Sequence, residues 1–339
     1  MLNPAAPRLA HTPPAGQGGF AWRYVDLVDD TGGGVVLIWG WALPFLASPA
    51  TDAPADHPVI NLVVYQGGVP TFYHLQRFDP AAVRAVPGGW RFGDNLLQSE
   101  REGDGWRVRA VLDLPVAGAA GRARAELHLH GPAAFGHPGQ GGPHAWSVLS
   151  TPASATFSLE CPGIAPIAMV GRGYHDENHC ERPLTALGIR EWAWGRVAEP
   201  EAERIHYSVM GSGEPVSLDV TAWPSGRLEF GRVNTFSGEG RVGGTWGFSA
   251  PQRLQVNEQA LSAGAPVDES SFYLRFPLTS PRGRGWGERV RPAAIGSRWM
   301  QPMVQLCVTG PDDGGSFLLP WFSGPRATRL ARLGPWWRR

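Results

Sequence analysis

Short segments with β-strand character follow one another along nearly the whole chain, and glycine or proline ends most of them. Among 339 residues there are 45 Gly and 32 Pro, too many turn-forming residues for a helical bundle. Many short strands with frequent turns predict an all-β protein of sandwiches or barrels. The predicted strands are Trp22–Val28, Val35–Ala42, Val59–Tyr65, Pro70–Leu75, Trp106–Leu114, Ala123–His130, Ile167–Asn178, Arg190–Val197, Arg204–Met210, Val216–Ala222, Arg227–Arg232, Arg241–Phe248, Arg253–Val256, Ser270–Pro277 and Gly285–Val290.

The length suits two domains at about 150 residues each. A Pro/Gly break at 161–166 separates two runs of strands and predicts the domain boundary. We therefore expect a disordered lead at 1–17, an N-terminal β-domain at 18–162, a C-terminal lipocalin-like β-domain at 167–322, and a tail at 323–339. One short helix is predicted where Asp79 can cap Pro80 and the residues that follow.

Composition excludes several classes of function. Acids and bases both number 30, so the neutral chain has no global electrostatic reason to bind nucleic acid. Every base is Arg, which excludes a Schiff-base lysine or a phosphate-binding lysine. The three cysteines, Cys161, Cys180 and Cys307, are too few and too far apart for a disulfide framework or a zinc site. No nucleophile elbow, P-loop or dinucleotide-binding fingerprint is present.

Two segments are candidates for membrane contact. The apolar run Val35–Ala47 contains Gly40 and Pro44 and is too short to span a bilayer, so a buried strand is favoured over a membrane-dipping loop. The tail at 323–339 combines Arg and Trp, which favour anionic lipid headgroups and the bilayer interface. A solvated tail is the alternative. Residues 1–19 lack an apolar core with a cleavage site, so no signal peptide is predicted.

Residues 169–196 carry the most chemistry. A strand places Tyr174, Asp176 and Asn178 on one face and the intervening His175 and Glu177 on the other, so this acidic and histidine-rich run does not converge on a metal. A carboxylate that faces inward beside a phenol and an amide is costly unless it is paired or protonated. The face is therefore either a structural hydrogen-bond network or the site of a buried acid.

Two further patterns allow a structural and a functional interpretation. His144 and Trp146 share a strand face, which is typical of a core Trp beside a hydrogen-bonded His but also suits a pocket that positions water. Along another strand, one face carries alternating Arg and Trp, a pattern typical of a surface ladder. Its members are Arg190, Trp192, Trp194 and Arg196.

These motifs resemble those of the carotenoid 1,2-hydratases, also called hydroxyneurosporene synthases. The likeness rests on the order of several pieces: Gly19–Asp26 (GFAWRYVD), Asn61–Tyr65 (NLVVY), Gly173–Asn178 (GYHDEN), Arg182–Leu184 (RPL) and Trp192–Arg196 (WAWGR). Weaker matches follow at Ser271–Tyr273 and Gly287–Val290. The sequence departs from the family at Cys180, where Gly is usual, at Thr185, where an acid is common, and after Cys307, where the typical basic ending is missing.

The resemblance implies two lipocalin-like β-domains with a ligand pocket at or near their junction, as in the related AttH-like proteins, tocopherol cyclases and fungal Diels–Alderases. It implies addition of water to the terminal C1–C2 double bond of an acyclic carotenoid of the neurosporene or lycopene type, without metal or redox cofactor. The catalytic residues it implies are Asp176, Tyr174, His144 and Trp146. We expect the pocket to be lined by Asn178, Trp192, Trp194, Trp22 and Tyr24.

The chemistry sets a condition on the acid. An isolated alkene is a very weak base, so Asp176 must be protonated in a dry site, which requires its pKa to rise by ~3 units. A C40 substrate resides in the bilayer, so we expect a cytoplasmic protein associated peripherally with the photosynthetic or inner membrane. A carrier of a hydrophobic pigment or lipid, a polyene cyclase or pericyclase on the same scaffold, and an interaction protein are the alternatives.

Overall fold

The computed structural model describes residues 2–5, 7–8, 11–44, 46, 51–116, 121–138, 144–211, 216–232, 241–243, 249–251, 253–256, 259–269, 273–292 and 324–325. Within these ranges the chain is built almost entirely of antiparallel strands, so the prediction of an all-β fold is confirmed. Short 3-10 helices cover Pro54–Asp56, Pro80–Ala82 and Leu184–Leu187.

Within the described residues, twenty-four strands can be numbered in chain order. The first twelve are β1 (Leu2–Pro4), β2 (Phe20–Val28), β3 (Gly34–Trp41), β4 (Pro58–Gln66), β5 (Val69–Arg77), β6 (Val83–Val86), β7 (Gly89–Phe92), β8 (Asn95–Glu102), β9 (Gly105–Pro115), β10 (Arg122–Pro132), β11 (His144–Glu160) and β12 (Ile167–Cys180). The others are β13 (Ile189–Ala198), β14 (Glu203–Gly211), β15 (Val216–Ala222), β16 (Leu228–Arg232), β17 (Arg241–Gly243), β18 (Ser249–Pro251), β19 (Arg253–Val256), β20 (Gln259–Ala263), β21 (Asp268–Glu269), β22 (Tyr273–Thr279), β23 (Arg284–Val290) and β24 (Gly324–Pro325).

The strands form two large curled sheets. The first has the order β24-β5-β4-β3-β2-β12-β11-β10-β9-β8-β7-β6, with β1 added to β11. The second has the order β16-β15-β14-β13-β23-β22-β20-β19, with β21 added to β22, and β17 pairs with β18 separately. This arrangement matches the two lipocalin-like halves that were expected.

The chain changes sheet later than the sequence predicted. The Pro/Gly segment at 161–166 is the turn between β11 and β12, which are antiparallel neighbours in the first sheet. Passage to the second sheet comes between Cys180 and Ile189. A hairpin turn and a domain linker share the same residue types, so composition alone does not distinguish the two.

Apolar side chains form three clusters. The largest lies on one face of the first sheet and includes Leu37, Trp39 and Leu112. A second cluster lies between the two sheets and draws residues from both, including Trp146 and Trp194. A small third cluster belongs to the second sheet. In the chemistry-bearing strand β12, residues 173–180 are buried on both faces, with one face toward the first cluster and the other between the sheets, whereas residues 167–172 have one exposed face.

The described part of the lead that was predicted to be disordered makes main-chain contacts with β11 and β12. Strand β1 pairs in parallel with His144–Trp146 of β11, and the Ala5 amide donates to the Trp146 carbonyl at 2.9 Å. The Arg8 amide donates to Glu177 Oε1 at 2.7 Å. Because β10 pairs only with 154–160 of β11, the other end of that strand has an edge that the lead covers. Hydrogen bonds of main-chain amides do not depend on the side-chain type, so composition does not predict them.

The structure also bears on two local predictions. Asp79 does cap a helix, accepting from the Ala81 amide at 2.8 Å, but the helix ends at Ala82 and the next residues form β6. The apolar run Val35–Ala47 contains β3, which is buried except for the partly buried Ile38, in agreement with the favoured buried strand. The Arg- and Trp-rich tail lies outside the described residues except for β24. No described helix is both long and apolar enough to cross a membrane.

Candidate active site

Three adjacent strands bring the predicted catalytic residues together. In the register of β11, β12 and β2, Trp146 lies opposite Asn178, and Asn178 lies opposite Trp22. Asp176 is the cross-strand partner of Tyr24 in the same way. Side chains alternate along a strand, so all of these residues point from one face of the first sheet toward the second sheet. Trp22, Tyr24 and Trp146 belong to the apolar cluster between the sheets, and Asp176 and Asn178 are buried polar residues on the same face.

Asp176 is 3% exposed and accepts three hydrogen bonds from neighbouring side chains. Trp146 Nε1 and the Tyr174 hydroxyl both donate to Oδ2, each at 2.8 Å. Asn178 Nδ2 donates to Oδ1 at a longer 3.3 Å. Because two donors already occupy Oδ2, Oδ1 is the oxygen with room for a proton. The two good donors fix the carboxyl group, and its more weakly bonded oxygen can act as the acid.

Burial raises the pKa of Asp176 to about 7, while the hydrogen bonds from Trp146 and Tyr174 oppose that rise. The nearby carboxylate of Asp26 raises it further. Desolvation thus outweighs the donors, and a large fraction of the carboxyl group is protonated at neutral pH. This is the rise that alkene protonation requires.

The Asn178 amide determines which ring nitrogen of the neutral His144 carries the proton. Since Asn178 Nδ2 donates to Asp176, its Oδ1 faces His144 Nε2 at 3.0 Å and accepts from it. The neutral imidazole therefore carries its proton on Nε2, and its lone pair is on Nδ1. Nδ1 is buried with no hydrogen-bond partner in the described structure. Burial lowers the pKa of His144 to about 4, so the ring is neutral and Nδ1 is available as an acceptor at pH 7.

Tyr207 completes this network from the second sheet and was not predicted. Its hydroxyl donates to Asn178 Oδ1 at 3.3 Å, and its ring meets the Trp146 ring edge-on at 5.1 Å. The alternation of β14 shows which residues share the face of Tyr207, but no local signal tells which strand of the other sheet lies opposite.

The predicted pocket residues form an aromatic wall around the acid. Trp194 packs at 5.1 Å from both Tyr174 and Tyr24, measured between ring centroids. Trp22 and Trp192 stack on each other at 6.4 Å. All are less than 10% exposed, so bulk water is largely excluded from the surroundings of the acid.

The Arg and Trp residues of β13 are not a surface ladder. Arg190 is exposed, but Trp192, Trp194 and Arg196 are buried between the sheets. Arg196 donates to Asp26 of β2 at 2.5 Å and to Glu203 of β14 at 2.9 Å. The alternation of charged and aromatic residues predicted that these side chains are exposed to solvent. The partners of Arg196 are instead carboxylates on β2 of the first sheet and on the neighbouring strand β14. The result is a buried ion cluster that joins the two sheets.

On the opposite face of β12, the polar side chains form hydrogen bonds and ion pairs with other buried side chains. His175 Nε2 lies 2.6 Å from Ser99 Oγ, and Glu177 pairs with Arg23 at 3.6 Å. Among the described residues no group of three or more His, Cys, Asp or Glu side chains is placed to hold a metal ion.

The chain matches no protein-family model, and no curated protein resembles it in sequence. Its fold resembles solved structures. An AttH-like protein from Nitrosomonas europaea is 14% identical, over 80% of this chain and 92% of its own, with a TM-score of 0.50. CghA is 10% identical over 84% of this chain and 94% of its own, with a TM-score of 0.47. Kievitone hydratase from Nectria haematococca is 10% identical over 85% and 98%, with a TM-score of 0.41.

At such low identity the likeness concerns the fold alone. The chain shares the double lipocalin-like architecture of the AttH-like protein, and a polar cluster around Asp176 lies between its two halves.

Proposed function

We propose that the protein is a hydratase that adds water across a trisubstituted carbon–carbon double bond of an acyclic isoprenoid. The observation that carries the proposal is the state of Asp176, a buried carboxyl group with a pKa of about 7. It is fixed by Trp146 and Tyr174 and lies in an aromatic surrounding. Among the described residues, most other buried carboxylates are paired with Arg, and Asp219 lies 2.6 Å from His206 Nδ1, whereas Asp176 has only neutral donors.

In the first step Asp176 Oδ1 transfers its proton to the less substituted carbon of the double bond. The π electrons form the new C–H bond, and the more substituted carbon becomes a tertiary cation. The rings of Trp146, Tyr174 and Trp194 offer π faces to that cation, and such contacts stabilise a desolvated cation by about 2 kcal/mol or more. Oδ2 keeps its two hydrogen bonds, which stabilise the carboxylate that is left.

In the second step a water molecule held by His144 Nδ1 attacks the cation and forms the C–O bond. The oxonium proton passes to Nδ1. An imidazole with a pKa of about 4 gives up that proton readily, and the Asp176 carboxylate, with a pKa of about 7, is the stronger base that recovers it. The cycle consumes one alkene and one water, yields a tertiary alcohol, and returns every side chain to its starting state.

Acyclic carotenoids are the substrates we propose, on the strength of the motif resemblance. The test is incubation of the purified protein with lycopene or neurosporene in liposomes made up in isotopically labelled water, followed by mass analysis of the extract. One labelled oxygen at a chain end, lost in Asp176→Asn, is the expected result. Unchanged pigment that co-purifies with the protein would indicate a carrier, and a product of unchanged mass with altered retention would indicate a cyclase.

A bilayer-resident substrate requires access from the membrane surface, and we propose the tail at 323–339 as the contact. Its Arg and Trp residues suit anionic lipid. Removal of the residues after Gly324 should lower binding to liposomes that contain anionic lipid. Unchanged binding would rule the tail out.

A further inference from the structure

Arg275, on β22, holds a fully buried positive charge that the proposed reaction does not use. Its side chain is 0% exposed, and Nη1 donates to Glu288 on β23. Nε and Nη2 have no hydrogen-bond partner among the described residues. Buried donors are nearly always satisfied in folded proteins, because leaving them unpaired costs free energy. This pair of nitrogens therefore points to an acceptor that the chain does not supply.

The contacts of Arg275 account for every part of its guanidinium except one edge. Tyr65 and Trp286 cover the guanidinium, with ring centroids 4.2 and 5.0 Å from Cζ. Nη1 is taken by Glu288, so Nε and Nη2 remain, and these two present parallel N–H groups on one edge of the plane. Gly34 lies beside that edge, where an added Cβ would still be 3.8 Å from Nη2. At this free edge, the N–H groups of Nε and Nη2 can both donate a hydrogen bond to one oxygen atom.

Charge decides which kind of oxygen fits. Glu288 already pairs with Arg275, and Asp268 lies 3.4 Å from the Tyr65 hydroxyl that neighbours it. The Tyr24 hydroxyl, 3.5 Å from Glu288, lies 3.4 Å from Asp26 as well. A carboxylate or phosphate brought to this edge would face these acidic groups at low dielectric, where like charges repel strongly. A neutral carbonyl or hydroxyl oxygen would accept both hydrogen bonds without that repulsion.

A continuous series of side-chain contacts links Arg275 to the proposed acid. Tyr24 connects them, because its ring is 6.2 Å from that of Tyr174 and its hydroxyl is next to Glu288. We propose that the Nε–Nη2 edge of Arg275 binds a carbonyl or hydroxyl oxygen on an elongated apolar ligand whose alkene lies against Asp176. This inference rests on the proposed function and extends its substrate class to acyclic isoprenoids that carry such an oxygen, which should bind more tightly than the hydrocarbons.

The test is a binding series that needs no turnover. Acyclic isoprenoids of C15 and of C20 are each prepared as hydrocarbon, primary alcohol, aldehyde and carboxylic acid, and dissociation constants are measured by quenching of tryptophan fluorescence. The wild-type protein should bind the alcohol or aldehyde about tenfold or more tightly than the hydrocarbon of the same length, because hydrogen bonds to a charged donor are among the stronger ones. Equal affinities would show that the edge holds only water, and preference for the carboxylate would overturn the neutral-oxygen assignment.

Arg275→Lys is the informative variant, since lysine keeps a charge for Glu288 but lacks the two-donor edge. It should lose the preference for the alcohol and aldehyde while it binds the hydrocarbon as before. Arg284→Lys, an exposed site on β23, is the matched control and should keep the preference. If Arg275→Lys fails to fold, the wild-type series alone decides. A protein that prefers the oxygenated ligands but hydrates none would refute the proposed function and leave this site standing.

Discussion

At the scale of single residues, opposing effects act on the Asp176 carboxyl group. Desolvation raises its pKa, and two strong donors on Oδ2 lower it, with desolvation the larger effect. His144 experiences desolvation in the opposite sense, because burial penalises its cationic form. The two groups are joined through the Asn178 amide, so one residue fixes the geometry of both.

These two shifts predict a bell-shaped pH dependence. Activity should rise with pH through about 4 as His144 loses its proton, and fall through about 7 as Asp176 ionises. The measurement is kcat/KM for hydration across this range, with Asp176→Asn inactive throughout. A profile that keeps rising above pH 8 would contradict the role of Asp176 as the acid.

Tyr174→Phe should move the alkaline limb upward. The variant keeps the ring but removes one donor that stabilises the carboxylate, so the pKa of Asp176 should rise by roughly one unit. Tyr207→Phe is the matched control, because its hydroxyl donates to Asn178 and not to Asp176. The pH profiles of both variants are compared with the wild type, and a downward shift in Tyr174→Phe, or equal shifts in both, would refute the assignment.

At the scale of elements, the strand periodicity predicted which residues of β12 share a face. Tyr174, Asp176 and Asn178 do lie together because alternation is a local property of the backbone. The position of Tyr207 beside Asn178 depends on how the two sheets pack, and so does the pairing of Arg196 with Asp26. A local stretch of sequence carries no signal for that packing. The same holds for the lead at 2–17, whose contacts are largely made by main-chain amides and carbonyls.

The N-terminal strand β1 should support catalysis through β11. It pairs with His144 and Trp146, and the Arg8 amide anchors the segment to Glu177. Deletion of residues 2–8 should lower kcat/KM on the order of tenfold to a hundredfold, because small displacements of catalytic groups are expensive. Arg8→Ala is the control, since the contact uses the backbone amide and remains possible. Full activity after deletion would show that β11 is positioned without β1.

At the scale of the whole molecule, a buried ion cluster joins the two sheets. Arg196 binds Asp26 of the first sheet and Glu203 of the second, and Thr151 of β11 donates to Glu203. All of these side chains are about 1% exposed or less. The cluster fixes the sheets relative to each other directly beneath Tyr174, whose ring is 5.9 Å from Arg196 Cζ.

Arg196→Met should destabilise the protein by about 3–5 kcal/mol, because it leaves two buried carboxylates uncompensated. Adding Asp26→Asn and Glu203→Gln to the same chain should restore much of the loss. The free energy of unfolding is measured with denaturant near neutral pH, with Arg190→Met as an exposed control. Equal stabilities of the single variant and the control would show that the cluster does not hold the sheets together.

The raised pKa of Asp176 also predicts how global stability depends on pH. In the folded state Asp176 keeps its proton up to about 7, whereas the unfolded chain loses it near 3.8. The folded state therefore binds more protons in that window, and the contribution of this group is lost as pH rises through about 7. Asp176→Asn removes the titration and should gain stability relative to the wild type between pH 5 and pH 8, by about 3 kcal/mol at most. Other groups titrate in both proteins, so the quantity to follow is the difference between their unfolding free energies. A difference that is flat with pH would mean that Asp176 is ionised in the folded protein, and an ionised Asp176 is not available as the acid.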